Sequence, residues 1–196
     1  MNSQKVNLST PNILGGIGGI FLVIGFLSNF LELVGLVLVL VAFYQYSQIL
    51  NKPSIFQYGL SWGIFFFVTR ISLIFFAGAT ITSTFTSIFT SDFTSDFTSD
   101  FSIYRDISVF LAIVGALLTY GAAIFAAIKL KKVLIELSII LNRNLCDITV
   151  KFIYWGAILS IVLIGVIATY IGIILLTVAF FTAQKEIQLN NTEEKS

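Results

Sequence analysis

The chain has 196 residues, 57% of them hydrophobic and 11% charged, with a mean hydropathy of +0.98. A soluble domain carries roughly 25% charged residues, so a water-facing fold this poor in charge would expose aggregating apolar patches, and lipid is the predicted solvent. Eleven Lys plus Arg against 10 Asp plus Glu leave a net charge of +1, no footprint for nucleic acid; a single cysteine, Cys146, excludes an internal disulfide, and the absence of His excludes imidazole-based acid/base, haem and zinc chemistry.

In chain order, Lys5 precedes an apolar run that starts near Ile13, outlasts a signal peptide's apolar region and has no Ala-Xaa-Ala site, so it is expected to remain as an anchor. A helix needs about 20 apolar residues to cross a 30 Å hydrocarbon core. Residues 13–50 therefore read as two short spans, 13–28 and 32–50, broken at Ser28, Asn29 and Glu32. Asn51-Lys52-Pro53-Ser54 supplies a turn, because the residue before a proline is pushed out of helical dihedrals. A third span follows at 55–79.

Residues 81–106 read as a polar outer connector. Within it, residues 82–101 are tandem Thr-Ser-Xaa-Phe copies, with Phe85, Phe89, Phe93, Phe97 and Phe101 in step and Asp92, Asp96 and Asp100 in the last three. A period of four suits a helix better than a strand. Ser, Thr and Asp are poor helix formers, however, and the Asp residues repel, so a low-complexity loop is the expectation. The glycine and closing glutamate of a calcium loop are missing.

The fourth span, 107–128, has no charge and ends at Lys129, Lys131 and Lys132. Leu130, Val133, Leu134, Leu137, Ile140 and Leu141 then recur at helical spacing among charged residues, which predicts a cytoplasmic interfacial amphipathic helix over 129–143. The closing run, 152–183, would be about 48 Å long as one helix. A fold-back near Gly165 to Thr169 divides it into spans 152–166 and 168–183, followed by a tail at 184–196. The fold class is thus an all-α polytopic transmembrane helical bundle, one membrane domain of six short spans. With six spans, Lys5, Lys52, the 129–151 cluster and Lys185 share the cytoplasmic side with both termini; five spans are the alternative.

The beginning and end of the chain echo one another. LVGLVLVLVAFYQ at 33–45 aligns with YIGIILLTVAFFT at 170–182, placing Gly35 over Gly172 and Gly19 over Gly156, and SQILNK at 47–52 echoes SIILNR at 138–143. A duplicated hairpin and convergence among Ile- and Leu-rich segments both account for this; transporters often carry such repeats. The glycine-rich ILGGIGGIFLVIGF, the stretch LVGLVLVLVAFYQYSQ with NKPSIFQYGL, and YWGAILSIVLIG with IGIILLTVAFF resemble a family of uncharacterised archaeal and bacterial multi-span membrane proteins, a domain of unknown function. That resemblance implies a prokaryotic membrane protein and no activity or site residues. The Thr-Ser-Xaa-Phe connector looks peculiar to this chain.

Gly15 and Gly19 form a small-xxx-small pair, and Gly115, Thr119, Ala123 and Ala127 a second small stripe; both are expected helix-packing faces, and no phosphate-loop pattern surrounds the first. Arg70 is the basic residue well inside a predicted span, with Glu32 its candidate intramembrane partner; an end of the helix near Ala77 would instead let Arg70 snorkel to the headgroups. Trp62, Trp155, Tyr58 and Tyr154 fall near span ends, as an interfacial belt requires. No catalytic, cofactor-binding or metal-ligating set is expected. The expected role is a non-enzymatic bundle of the cell membrane that self-associates or assembles with membrane partners, with a small transporter or channel component as the alternative.

Overall fold

The computed structural model describes residues 4–25, 28–90, 98–159, 164–184 and 186–189. These form six helices and a two-stranded ribbon: β1 (Gln4–Asn7), α1 (Ser9–Ile24), α2 (Asn29–Ile49), α3 (Pro53–Thr90), α4 (Thr98–Leu137), α5 (Arg143–Ile158), α6 (Ile164–Phe181) and β2 (Glu186–Leu189).

Local chemistry sets the helix ends. Pro11 lies in the first turn of α1 and Pro53 opens α3, positions where a missing N–H costs no intrahelical bond. The α2–α3 turn passes through Asn51 at φ 51°, a left-handed conformation that Asn tolerates better than most residues. Asn142 caps α5, its side chain accepting from the backbone N–H groups of Asn144 (3.1 Å) and Leu145 (3.4 Å).

Three hairpins result, α1 on α2, α3 on α4 and α5 on α6, and further packing of α2 on α3, α4 on α5 and α1 on α6 closes them into a ring. β1 and β2 pair antiparallel, with Gln4 opposite Leu189 and Asn7 opposite Glu186, so the first and last described segments lie together at one end. At that end the core is densest: Phe43, Tyr46, Leu130, Leu134, Leu137 and Phe180 are fully buried. Phe43 meets Trp62 edge-on at 6.0 Å, and Phe180 stacks on Tyr46 at 6.2 Å.

Several boundaries differ from the sequence reading. Residues 129–137 are not a separate interfacial helix; they continue α4, and Leu130, Val133, Leu134 and Leu137 are each at most 2% exposed, because the apolar stripe faces the aromatic core. Gly165 to Thr169, the expected fold-back, are helical and belong to α6. Thr169 donates its hydroxyl to the Gly165 carbonyl within α6, and a Cβ on Gly156 would lie 2.6–2.9 Å from Thr169 and the Gly165 oxygen, so these small residues permit close helix contact instead of bending the chain. Residues 81–90 and 98–106 of the connector are helical, and 91–97 lie outside the described residues. Trp62 is 3% exposed against Phe43, a core residue and not part of an outer belt, whereas Trp155 is 57% exposed.

Among the described residues, two stretches are long and apolar enough to cross a membrane: Asn29–Ile49, and Ile113–Leu137 within α4. Ser9–Ile24 and Ile167–Phe181 are apolar but shorter. At 1.5 Å per residue, the 38 and 40 residues of α3 and α4 give helices about 57 and 60 Å long, roughly twice the length of α1, α5 or α6.

Candidate functional site

Two groups of polar side chains lie inside this apolar bundle. The first joins α2 to α3. Glu32, in the first turn of α2 and 5% exposed, forms an ion pair with Arg70, and the Arg70 guanidinium lies over the Phe66 ring at 5.4 Å. The carboxylate near a helix N-terminus also meets the positive end of the helix dipole. Gly25 makes room for it: a Cβ there would come within 2.5–2.8 Å of the Glu32 backbone and Cβ, so a side chain would push the α1–α2 turn off the pair. A pocket of about 110 Å³ opens beside the ion pair, its other walls including Asn29, Leu36, Phe67 and Ile71. Because α3 runs on to Thr90, Arg70 lies within the helix and not near its end, and its charge is met by Glu32.

The second group lies beneath the paired tails. The Tyr46 hydroxyl donates to Asn12 Oδ1, and Asn12 Nδ2 donates to the Gln184 carbonyl at 3.1 Å, while the Gln184 N–H reaches the Ile140 carbonyl at 3.3 Å. One buried asparagine thus links α1, α2 and the segment leading to β2. Cys146 is also buried in this end of the core, where loss of solvent, and then the charge of Asp147, pushes its thiol up to about 11. The sequence reading passed over Asn12 and Tyr46; the available signal was a lone amide in the first turn of an otherwise apolar helix.

The small residues divide between two helices. Gly15 and Gly19 face α6, where an added Cβ would lie 2.6–2.8 Å from the Phe180 ring and 2.3 Å from Thr177 Oγ1 respectively. Along α4, Thr119 donates to the Gly115 carbonyl at 2.8 Å, Ala127 is buried, and Gly115, Thr119 and Ala123 are half-buried. No trio of Asp, Glu or Cys placed to hold a metal ion occurs among the described residues. The arrangement can hold hairpins in register and bury one compensated charge pair.

A family model for proteins of unknown function, DUF996, matches residues 31–179, which takes in α2 to α5 and nearly all of α6 and leaves the glycine-rich α1 outside the match. No curated protein and no solved structure matches the chain.

Proposed function

We propose that this chain, which belongs to the DUF996 family of proteins of unknown function, is a non-enzymatic six-span bundle of the cell membrane that assembles with itself or with other membrane proteins, both termini cytoplasmic. One observation carries the reading. Large apolar side chains point outward along the helices, among them Phe30 (73% exposed), Ile64 (55%), Leu117 (65%) and Ile167 (64%), while Glu32, Asn12, Ser47, Thr149 and Thr177 are buried. Water would select the reverse arrangement, and lipid accepts this one. Pairing of β1 with β2 at one end suits an even number of crossings.

Assembly is supported by α4. Leu117 and Phe125 are exposed on either side of Gly121, and a Cβ built on Gly121 meets nothing within 4 Å, so a helix-facing notch is left uncovered. Two measurements test the whole. Alkaline carbonate should leave the protein in the membrane pellet, and cysteines placed at Ser95 and Ser196 should react with an impermeant maleimide applied outside cells at Ser95 alone. Extraction by carbonate, or labelling at both positions, defeats the six-span reading; a strictly monomeric wild type at high concentration in mild detergent counts against self-assembly.

The pocket beside Glu32 and Arg70 favours a second reading, a small transporter or channel component. Flux in proteoliposomes that falls on Arg70→Leu supports it, and wild-type protein inactive toward every ion tried removes it.

A further inference from the structure

Between α4 and α5, Lys131 of α4 sets its ammonium over the ring of Tyr154 of α5 at 5.7 Å, and Tyr154 meets Trp155 edge-on at 6.3 Å. Lys151 precedes these rings by three and four positions on the same helix, so it projects over the same turn. Lys131 and Lys151 are exposed and Trp155 is 57% exposed. Neither lysine has a carboxylate within ion-pair distance among the described residues; Asp147, one turn before Lys151, is the nearest acidic residue in sequence. Two unpaired cations from two helices thus flank an aromatic pair whose outer ring is bare. An anion with an apolar body attached satisfies both halves of that surface, and a soluble anion satisfies only one.

We propose that Lys131, Lys151, Tyr154 and Trp155 form a docking site for the phosphate-bearing headgroup of an anionic phospholipid, with the lysines on the phosphate and Trp155 against the glycerol and upper acyl chain. The proposal rests on the membrane reading above, and its occupant follows from charge complementarity and the exposed tryptophan. Zwitterionic lipid brings its own cation and gains less from the lysines.

The test uses the full chain in mild detergent, following thermal unfolding as phosphatidylglycerol, phosphatidylcholine or soluble glycerol phosphate is added. Phosphatidylglycerol is expected to raise the transition temperature saturably, phosphatidylcholine and glycerol phosphate far less. Each lysine contributes roughly five-fold in apparent affinity, so K131Q/K151Q should weaken the phosphatidylglycerol effect by more than ten-fold. Trp155→Ala should weaken it as well, while K5Q/K52Q, which removes the same charge from β1 and the α2–α3 turn, should leave it nearly intact. Equal weakening by the two lysine pairs, equal stabilisation by the two lipids, or a matching effect of glycerol phosphate each overturns the site. A protein that stays in the carbonate pellet yet shows no lipid preference sinks this proposal alone; a protein extracted by carbonate sinks the reading beneath it.

Discussion

The guanidinium of Arg70 in α3 meets the carboxylate of Glu32 in the first turn of α2, the ion pair that joins these two helices among the described residues. Each charge is tolerated because of the other. Breaking a buried pair is expected to cost about 3 kcal/mol, the lower end of the usual range because the Arg70 side chain is 32% exposed. Glu32→Ala and Arg70→Ala should each lower the unfolding free energy in detergent by about that amount. The double replacement with Leu should recover most of it, and a double variant as unstable as the sum of the singles would refute the pairing.

Gly19→Ala should destabilise by about 1–3 kcal/mol, since its Cβ would fall 2.3 Å from Thr177 Oγ1. Thr177 bonds only back to the Ile173 carbonyl at 2.9 Å, so adding Thr177→Ala should restore part of the loss. In monomeric protein Gly121→Ala is the control: with no atom of the chain within 4 Å of its Cβ, alanine should be neutral or gain up to about 1 kcal/mol from helix propensity. Thermal unfolding of the set reads all of these effects.

Tyr46→Phe removes one hydrogen bond to Asn12 and should cost about 1–3 kcal/mol, because Asn12 Oδ1 stays buried. Asn12→Ala also cuts the link to Gln184, so amide exchange across β1 and β2 should accelerate in Asn12→Ala and change little in Tyr46→Phe. Equal exchange in the two variants would mean that Asn12 does not hold the ribbon.

Cys146 lies in the first turn of α5, ahead of Lys151. It is 1% exposed and its thiol is raised from 9.0 to about 11, first by burial. The folded state therefore holds this proton more tightly than the unfolded chain does. That contribution to stability is complete below pH 9 and is lost as pH rises through about 11. Iodoacetamide should accordingly leave the folded protein almost unmodified at pH 8 and label it fully in denaturing detergent; rapid labelling of folded protein at pH 8 would contradict the buried environment.

The breaks at Ser28 and Pro53 were legible because they are local signals that tertiary context leaves in place. The Glu32 and Arg70 side chains could be singled out because a charge within an apolar run stands out. Their pairing could be expected because each charge needs a partner there; the close approach of Gly25 to Glu32 is a tertiary fact that sequence alone reads as one more small residue. The α4 extension was misread because an amphipathic stripe looks the same whether lipid or a neighbouring core covers it, and Tyr46, Phe43 and Phe180 are remote from Leu134 in sequence. The bend expected at Gly165 to Thr169 was misread because glycine serves both bends and close helix contacts. The strands of the tails escaped notice because each is four residues long and has its partner at the far end of the chain.

The ring closed between α1 and α6 has a consequence for biosynthesis. Asn12 and its partner Gln184 are 172 positions apart, so at 5–20 residues per second α1 emerges on the order of 10–30 s before the segment it needs. Throughout that interval Gly15, Gly16 and Gly19 present a bare groove shaped to the width of an aromatic helix face. Whatever the nascent chain meets in that window, a chaperone, lipid or a neighbouring copy's α6, competes for the groove, which makes exchange of the last helix between copies the natural assembly error of this fold.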